Sequence, residues 1–188
     1  MKQVIDGKMY AIKEPPVNTI EERLQRMEDL RAIEECIYHY AWACDNIDPV
    51  GMSSCFTETG RLSWGDVVPD VVCGRAAILE HLQSLLGAAL TQTHLMTNPQ
   101  ILFVTNDKAL AHYQMYSWQT FKDDNVPDCY SYGRYEAEVV RDTDGEWRFE
   151  SFKFILAGTL SGCEFDKNGR HSEQFGRAWP LIPIPPRA

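Results

Sequence analysis

The sequence predicts an α+β fold in which N-terminal helices pack on a curved, mostly antiparallel sheet. Two observations carry this reading. Apolar residues recur at three- and four-residue steps through the first half of the chain, whereas from Ala88 onward they form strand-like runs joined by short, turn-compatible connections. With 188 residues, 44% of them apolar, the chain can bury one sizeable core and is too short for two ordinary domains and a linker.

Residues 1–18 are mixed and proline-bearing and read as an N-terminal arm. A helix is expected from Asn18-Thr19, where either side chain can cap it and Glu21 and Glu22 fall in the first turn. Leu24, Met27, Leu30, Ile33, Ile37, Ala41 and Cys44 suggest one apolar stripe over about seven turns, ending near Asn46. After Asp48-Pro49, Val50 to Phe56 reads as a short helical turn, and Gly60 to Trp64 as a first strand followed by a polar loop. Arg75 to Leu86 is a third helix, marked by Ile78, Leu82, Leu85 and Leu86. Strands are expected at Thr91 to Val104, Ala109 to Phe121, Tyr130 to Arg141 and Trp147 to Ala157. The folded domain thus spans 19–157. Residues 158–188 end in Trp179-Pro-Leu-Ile-Pro-Ile-Pro-Pro, whose prolines stop helices and central strands, so they read as an extended tail over the cavity mouth or a neighbouring subunit.

A net charge of −9, with no Lys/Arg run, argues against nucleic acid as a partner. The charged, proline-bearing N-terminus does not resemble a secretory signal, and no apolar run approaches the roughly 20 residues that cross a bilayer. A cytoplasmic protein with no membrane partner is expected. Cys36, Cys44, Cys55, Cys73, Cys129 and Cys163 are scattered without a CxxC pair, which fits reduced thiols better than disulfides or zinc. No glycine-rich phosphate loop, G-x-S-x-G or H-E-x-x-H occurs, and His39, His81, His112 and His171 offer no metal-ligand spacing. Neither cofactor nor metal is expected.

Two segments hold the candidate chemistry. Tyr38-His-Tyr-Ala-Trp-Ala-Cys-Asp45 puts a carboxylate at the end of an aromatic and apolar stretch of helix, four residues after inward-facing Ala41. Thr91-Gln-Thr-His94-Leu-Met-Thr-Asn98-Pro opens the first long strand, and period-two alternation places Gln92, His94, Met96 and Asn98 on one face. By residue type alone, a strand histidine is more often structural and a helix-terminal aspartate more often solvated. Tyr113, Tyr116, Trp118, Tyr130 and Tyr132 either line an aromatic pocket or form plain core.

The order of these features resembles the SnoaL-like branch of the nuclear-transport-factor-2-like superfamily over Thr19 to Ala157. The features are a long helix with Tyr40-x4-Asp45, two further helices, the His94–Asn98 strand, and Gly133-Arg-Tyr-Glu-Ala-Glu-Val-Val-Arg-Asp-Thr-Asp-Gly-Glu-Trp147-Arg-Phe. The resemblance implies a cone-shaped α+β barrel. In several members, including scytalone dehydratase, hexachlorocyclohexane dehydrochlorinase and the bile-acid 7α-dehydratase, a cavity histidine oriented by an aspartate abstracts a proton. Carried over, His94 is the base, Asp45 its orienting carboxylate and Tyr40 a hydrogen-bond donor to a developing oxyanion. The bile-acid enzyme has an arginine on its last strand, where this chain offers only nearby Lys153. Lys153, Trp118, Tyr116, Tyr113 and Asn98 are the candidate substrate contacts.

A free imidazole has a pKa near ~6.5 and can act as a neutral base at cellular pH. The implied reaction is a cofactor-independent elimination from an apolar, aromatic or polycyclic small molecule. A ketosteroid-isomerase-like or cyclase reaction could use the same residues. A non-catalytic ligand-binding or dioxygenase-β-like subunit remains a third reading. An open sheet and an apolar tail also predict a homo-oligomer, a dimer or trimer by resemblance.

Overall fold

Thr19 starts the long first helix, α1 (Ile20–Asp45), through a reciprocal cap. Its Oγ1 accepts from the Glu22 amide at 3.1 Å, and Glu22 Oε2 accepts from the Thr19 amide at 3.1 Å. The computed structural model describes residues 2–5, 8–11, 14–65 and 70–161. A hairpin, β1 (Lys2–Ile5) with β2 (Lys8–Ala11), precedes α1 within the expected N-terminal arm. Then come α2 (Pro49–Ser54), β3 (Phe56–Ser63), β4 (Val71–Cys73), α3 (Arg75–Leu86), β5 (Ala89–Thr105), β6 (Lys108–Phe121), β7 (Cys129–Arg141) and β8 (Trp147–Ser161).

Six strands form one curved, open sheet in the order β4-β3-β8-β7-β6-β5, with β4 and β5 at its edges. Strands β5 to β8 are an antiparallel meander, and β3 joins β8 in parallel. Tyr40 of α1 packs into an aromatic cluster with Phe56, Phe149, Phe152 and Tyr135, its ring centroid 4.6 Å from that of Phe152. These rings fix the last turns of α1 on the inner face of the sheet.

The structure revises several sequence-based boundaries. β3 begins at Phe56, not Gly60, because fully buried Phe56 already pairs with Phe149. A three-strand-residue segment, β4, forms at the end of the expected loop by pairing with Arg61–Ser63, and β8 runs four residues past Ala157. The expected tail beyond Ser161, with Cys163 and His171, lies outside the described residues.

The apolar stripe of α1 is also corrected. Leu24 and Met27 are 55% and 67% exposed. Each step of three residues falls about 60° short of a full turn, so the run from Leu24 to Ile33 rotates by about 180° and cannot stay on one face. The buried face instead carries Asp29, Ile33, Ile37, Tyr40, Ala41 and Cys44, together with Ala43.

Asp29 is a carboxylate on that buried face. It accepts from Arg141 Nη2 at 2.5 Å, Gln25 Nε2 at 3.1 Å and Trp147 Nε1 at 3.2 Å, tying α1 to β7 and β8. Arg141 also binds Asp107 at 3.0 Å in the β5–β6 turn. Removing one member of a buried, hydrogen-bonded ion pair strands the other, although the half-buried guanidinium can recover some water. Asp29→Ala is expected to lower the unfolding free energy by about 2 kcal/mol in urea titration. An unchanged midpoint would show that this carboxylate does not tie the layers together.

Candidate functional site

The end of α1 meets the start of β5. Asn46 closes the helix by donating its amide and Nδ2 to the Trp42 carbonyl, at 3.1 and 2.7 Å. Gln92 on β5 donates to the Cys44 carbonyl and anchors the last helical turn on the strand. This attachment brings Asp45 to His94: Oδ1 lies 2.7 Å from His94 Nδ1, and Oδ2 accepts from the His94 amide at 3.1 Å. Both carboxylate oxygens therefore hold one residue. An ionised carboxylate only accepts, so the ring proton is assigned to Nδ1 and Nε2 keeps its lone pair. The His94 side chain is 5% exposed and that of Asp45 22%.

Next to Nε2 stands Cys44, with Sγ at 3.9 Å. Burial, and secondarily the Asp45 charge, pushes its thiol pKa up to about 12. The group facing the imidazole is thus a neutral thiol. His94 and Cys44 both line a cavity of about 260 Å³. Helices contribute Tyr40, Cys44, Met52, His81, Leu85 and Leu86 to its wall, and β5–β8 contribute alternate inner-face residues, among them Met115, Phe121, Tyr135 and Phe154.

Tyr40 lines this cavity, and its hydroxyl has no hydrogen-bond partner among the described residues. Burial above all, with neighbouring Tyr135 and Cys44, raises its phenol pKa well above the usual value, so it stays a donor. The five residues considered as substrate contacts fall elsewhere. Tyr113 shares the inner face of β6 with Met115 but is fully buried against Tyr135 and Phe152. Tyr116 and Trp118 have the opposite parity and stack with Tyr130 and Tyr132 on the outer face. Asn98 follows a register shift between Thr97 and Gln100, adopts φ 53°, and is exposed. Lys153 stands one residue before the wall residue Phe154, hence on the other face of β8.

Three polar wall residues were not singled out in the sequence, Ser117, Gln119 and Ser131, and a fourth, His81, was considered there only as a metal ligand. His81 Nε2 accepts a 2.8 Å hydrogen bond from Trp64 Nε1, which places its ring proton on Nδ1. Its position between Ile78, Leu82 and Leu85 on the apolar face of α3 was the available signal. Among the described residues, no group of three or more His, Cys, Asp or Glu is arranged to hold a metal.

The comparisons agree with this architecture. A family model for the SnoaL-like domain matches residues 25–153. A provisionally assigned scytalone dehydratase from Novosphingobium aromaticivorans shares 23% identity, covering 84% of this chain and 99% of its own, with a TM-score of 0.68. A hexachlorocyclohexane dehydrochlorinase from Novosphingobium barchaimii shares 16% identity over 74% of this chain and 93% of its own, with a TM-score of 0.66. A ketosteroid isomerase-like protein from Erwinia carotovora atroseptica shares 15% over 69% and 96%, with a TM-score of 0.60. At these identities the likeness is one of fold. No curated protein matches the chain in sequence.

The thiol beside the imidazole gives a chemical readout of the site. With iodoacetamide at pH 8, labelling of Cys44 is expected to lag that of exposed Cys73 by about a hundredfold or more, because the thiolate is the reactive form. Peptide mass spectrometry measures both rates, and equal labelling would contradict the buried, neutral Cys44.

Proposed function

This chain belongs to the SnoaL-like domain family, and we propose that it is a cofactor-independent lyase acting on an apolar, aromatic or polycyclic small molecule. The observation that carries the proposal is the 2.7 Å contact of Asp45 with His94 Nδ1, at the wall of a largely apolar cavity that His94 lines. In this reading the functional unit is residues 19–157, and the protein works in the cytoplasm.

His94 Nε2 takes a proton from the substrate, and Asp45 stabilises the imidazolium that forms. The electrons of the broken bond then expel the leaving group. A halide departs as the anion, and a hydroxyl departs as water by taking the proton back from the His94 imidazolium. A small carbonyl fragment forms when the pair of a broken O–H bond makes its C=O and a carbon–carbon bond is cleaved, the freed carbon taking the His94 proton. Tyr40, held un-ionised by burial, donates to the developing oxyanion or to the departing oxygen. The fold likeness to a dehydratase and to a dehydrochlorinase, both eliminating enzymes by name, supports elimination over other uses of this site. The ketosteroid isomerase-like neighbour keeps isomerisation as the second reading, separated from the first by whether the product is lighter than the substrate.

The proposal includes self-association as a dimer or trimer. Supporting it, the outer face of the sheet exposes Leu95 and Tyr132, and α1 exposes Ile20, Leu24, Met27 and Trp42. Light scattering of the full chain at micromolar concentration is expected to give a multiple of the 21.5 kDa chain mass. A monomer there would remove self-association from the proposal.

A mass-spectrometric screen of aromatic, terpenoid and steroid alcohols for loss of water or formaldehyde identifies the reaction. On the substrate so found, folded His94→Ala should lose about 10²–10⁴-fold in turnover, the usual range for a general base. Asp45→Asn should keep the fold with a weaker base, and the double variant should be little worse than His94→Ala, because residues acting as one unit are non-additive. Near-wild-type turnover in His94→Ala, or fully multiplicative losses, would reject the dyad.

A further inference from the structure

Strand register puts one cavity residue beside the proposed base. On the inner face of the sheet, His94 of β5 pairs with Ser117 of β6, and Ser117 pairs with Ser131 of β7. Directly opposed residues of an antiparallel pair hold their Cβ atoms about 4.5–5.5 Å apart, so in the row His94–Ser117–Ser131 the Ser117 hydroxyl stands next to the imidazole and Ser131 lies one strand further along. Both serines line the cavity. Ser117 is 1% exposed, yet its Oγ has no hydrogen-bond partner among the described residues.

Buried hydroxyls are normally paired, and an alanine of nearly the same shape would avoid the desolvation cost. Among the described residues that line the cavity, only Tyr40 and Ser117 carry unpartnered buried hydroxyls. Gln92, in the next row, is already bonded to the Cys44 carbonyl. The unused donor nearest the base in register is therefore Ser117.

We propose that Ser117, with Ser131 beside it, recognises an oxygen of the ligand, and that the ligand is a ring ketone, free or fused to an arene, whose carbonyl adjoins the carbon His94 deprotonates. This rests on the reading of His94 as a base. The C–H bond breaks, its proton goes to His94 Nε2, its electron pair forms a carbon–carbon double bond, and the carbonyl π pair moves onto oxygen. Ser117 Oγ–H donates to that oxygen without giving up its proton. Collapse of the enolate then expels a β leaving group or accepts a proton elsewhere.

The test compares binding of 2-naphthol and naphthalene, which differ by one hydroxyl, by fluorescence titration. The wild type is expected to prefer 2-naphthol. Ser117→Ala should weaken 2-naphthol by about threefold to tenfold, the worth of one neutral hydrogen bond, and leave naphthalene unchanged. His94→Ala should keep the preference. Equal weakening of both ligands in Ser117→Ala, no weakening of either, or no preference in the wild type overturns the proposal. Loss of the preference in His94→Ala but not in Ser117→Ala assigns the oxygen to the imidazole, overturning the role of Ser117 while leaving the base intact. Full turnover in His94→Ala with the naphthol preference unchanged rejects the base instead.

Discussion

Tyr40 is where the last turns of α1 are pinned to the sheet. Its ring sits among Phe56, Tyr135, Phe149 and Phe152, drawn from three strands, mostly in edge-on or tilted contacts. Asp45 lies five residues further along the same rigid helix, so its position over β5 follows from where that ring is packed. The Gln92 bond to the Cys44 carbonyl then fixes the approach of helix to strand. A carboxylate on a loop would have many alternatives; at this helix end, gripped from both sides, it has few.

Charge and solvation are divided within the site. The imidazole is almost fully enclosed, while its carboxylate keeps part of its surface in water. Enclosing the carboxylate as well would cost far more than its hydrogen bonds return. The remainder of the cavity is mostly apolar, with its hydroxyls and amides concentrated on β5, β6 and β7. A wall of this kind distinguishes ligand orientations, since a ligand oxygen has partners on the sheet and fewer among Met52, Leu85 and Leu86.

Much of this was legible in the sequence, and the losses have physical causes. Strand positions could be read because Asn106-Asp107 and Asp144-Gly145 mark turns between alternating runs, and α3 was read at its observed bounds, Arg75–Leu86. The absolute face of each strand was harder. Tyr113 and Tyr116 look alike in sequence, but one is interior core and the other outer surface, because an odd spacing reverses side-chain direction. Asn98 needed the register shift after Thr97, which no periodicity reveals. Ser117 carries no sequence signal. Its significance comes from being opposite His94, a relation that exists only after β5 and β6 are paired.

The parallel pairing of β3 with β8 has a kinetic meaning. Thr57 Oγ1 donates to Glu150 at 2.7 Å across 93 residues of chain, and Phe56 stands beside Phe149. During synthesis the three helices and β3 emerge well before their partner strand, and the ring cluster around Tyr40 cannot assemble until β8 has been made. High sequence separation of this kind slows folding, because loop closure must precede the contacts that reward it. The nascent first half therefore presents apolar helix faces before the sheet that covers them has been made, the kind of exposed surface that favours aggregation.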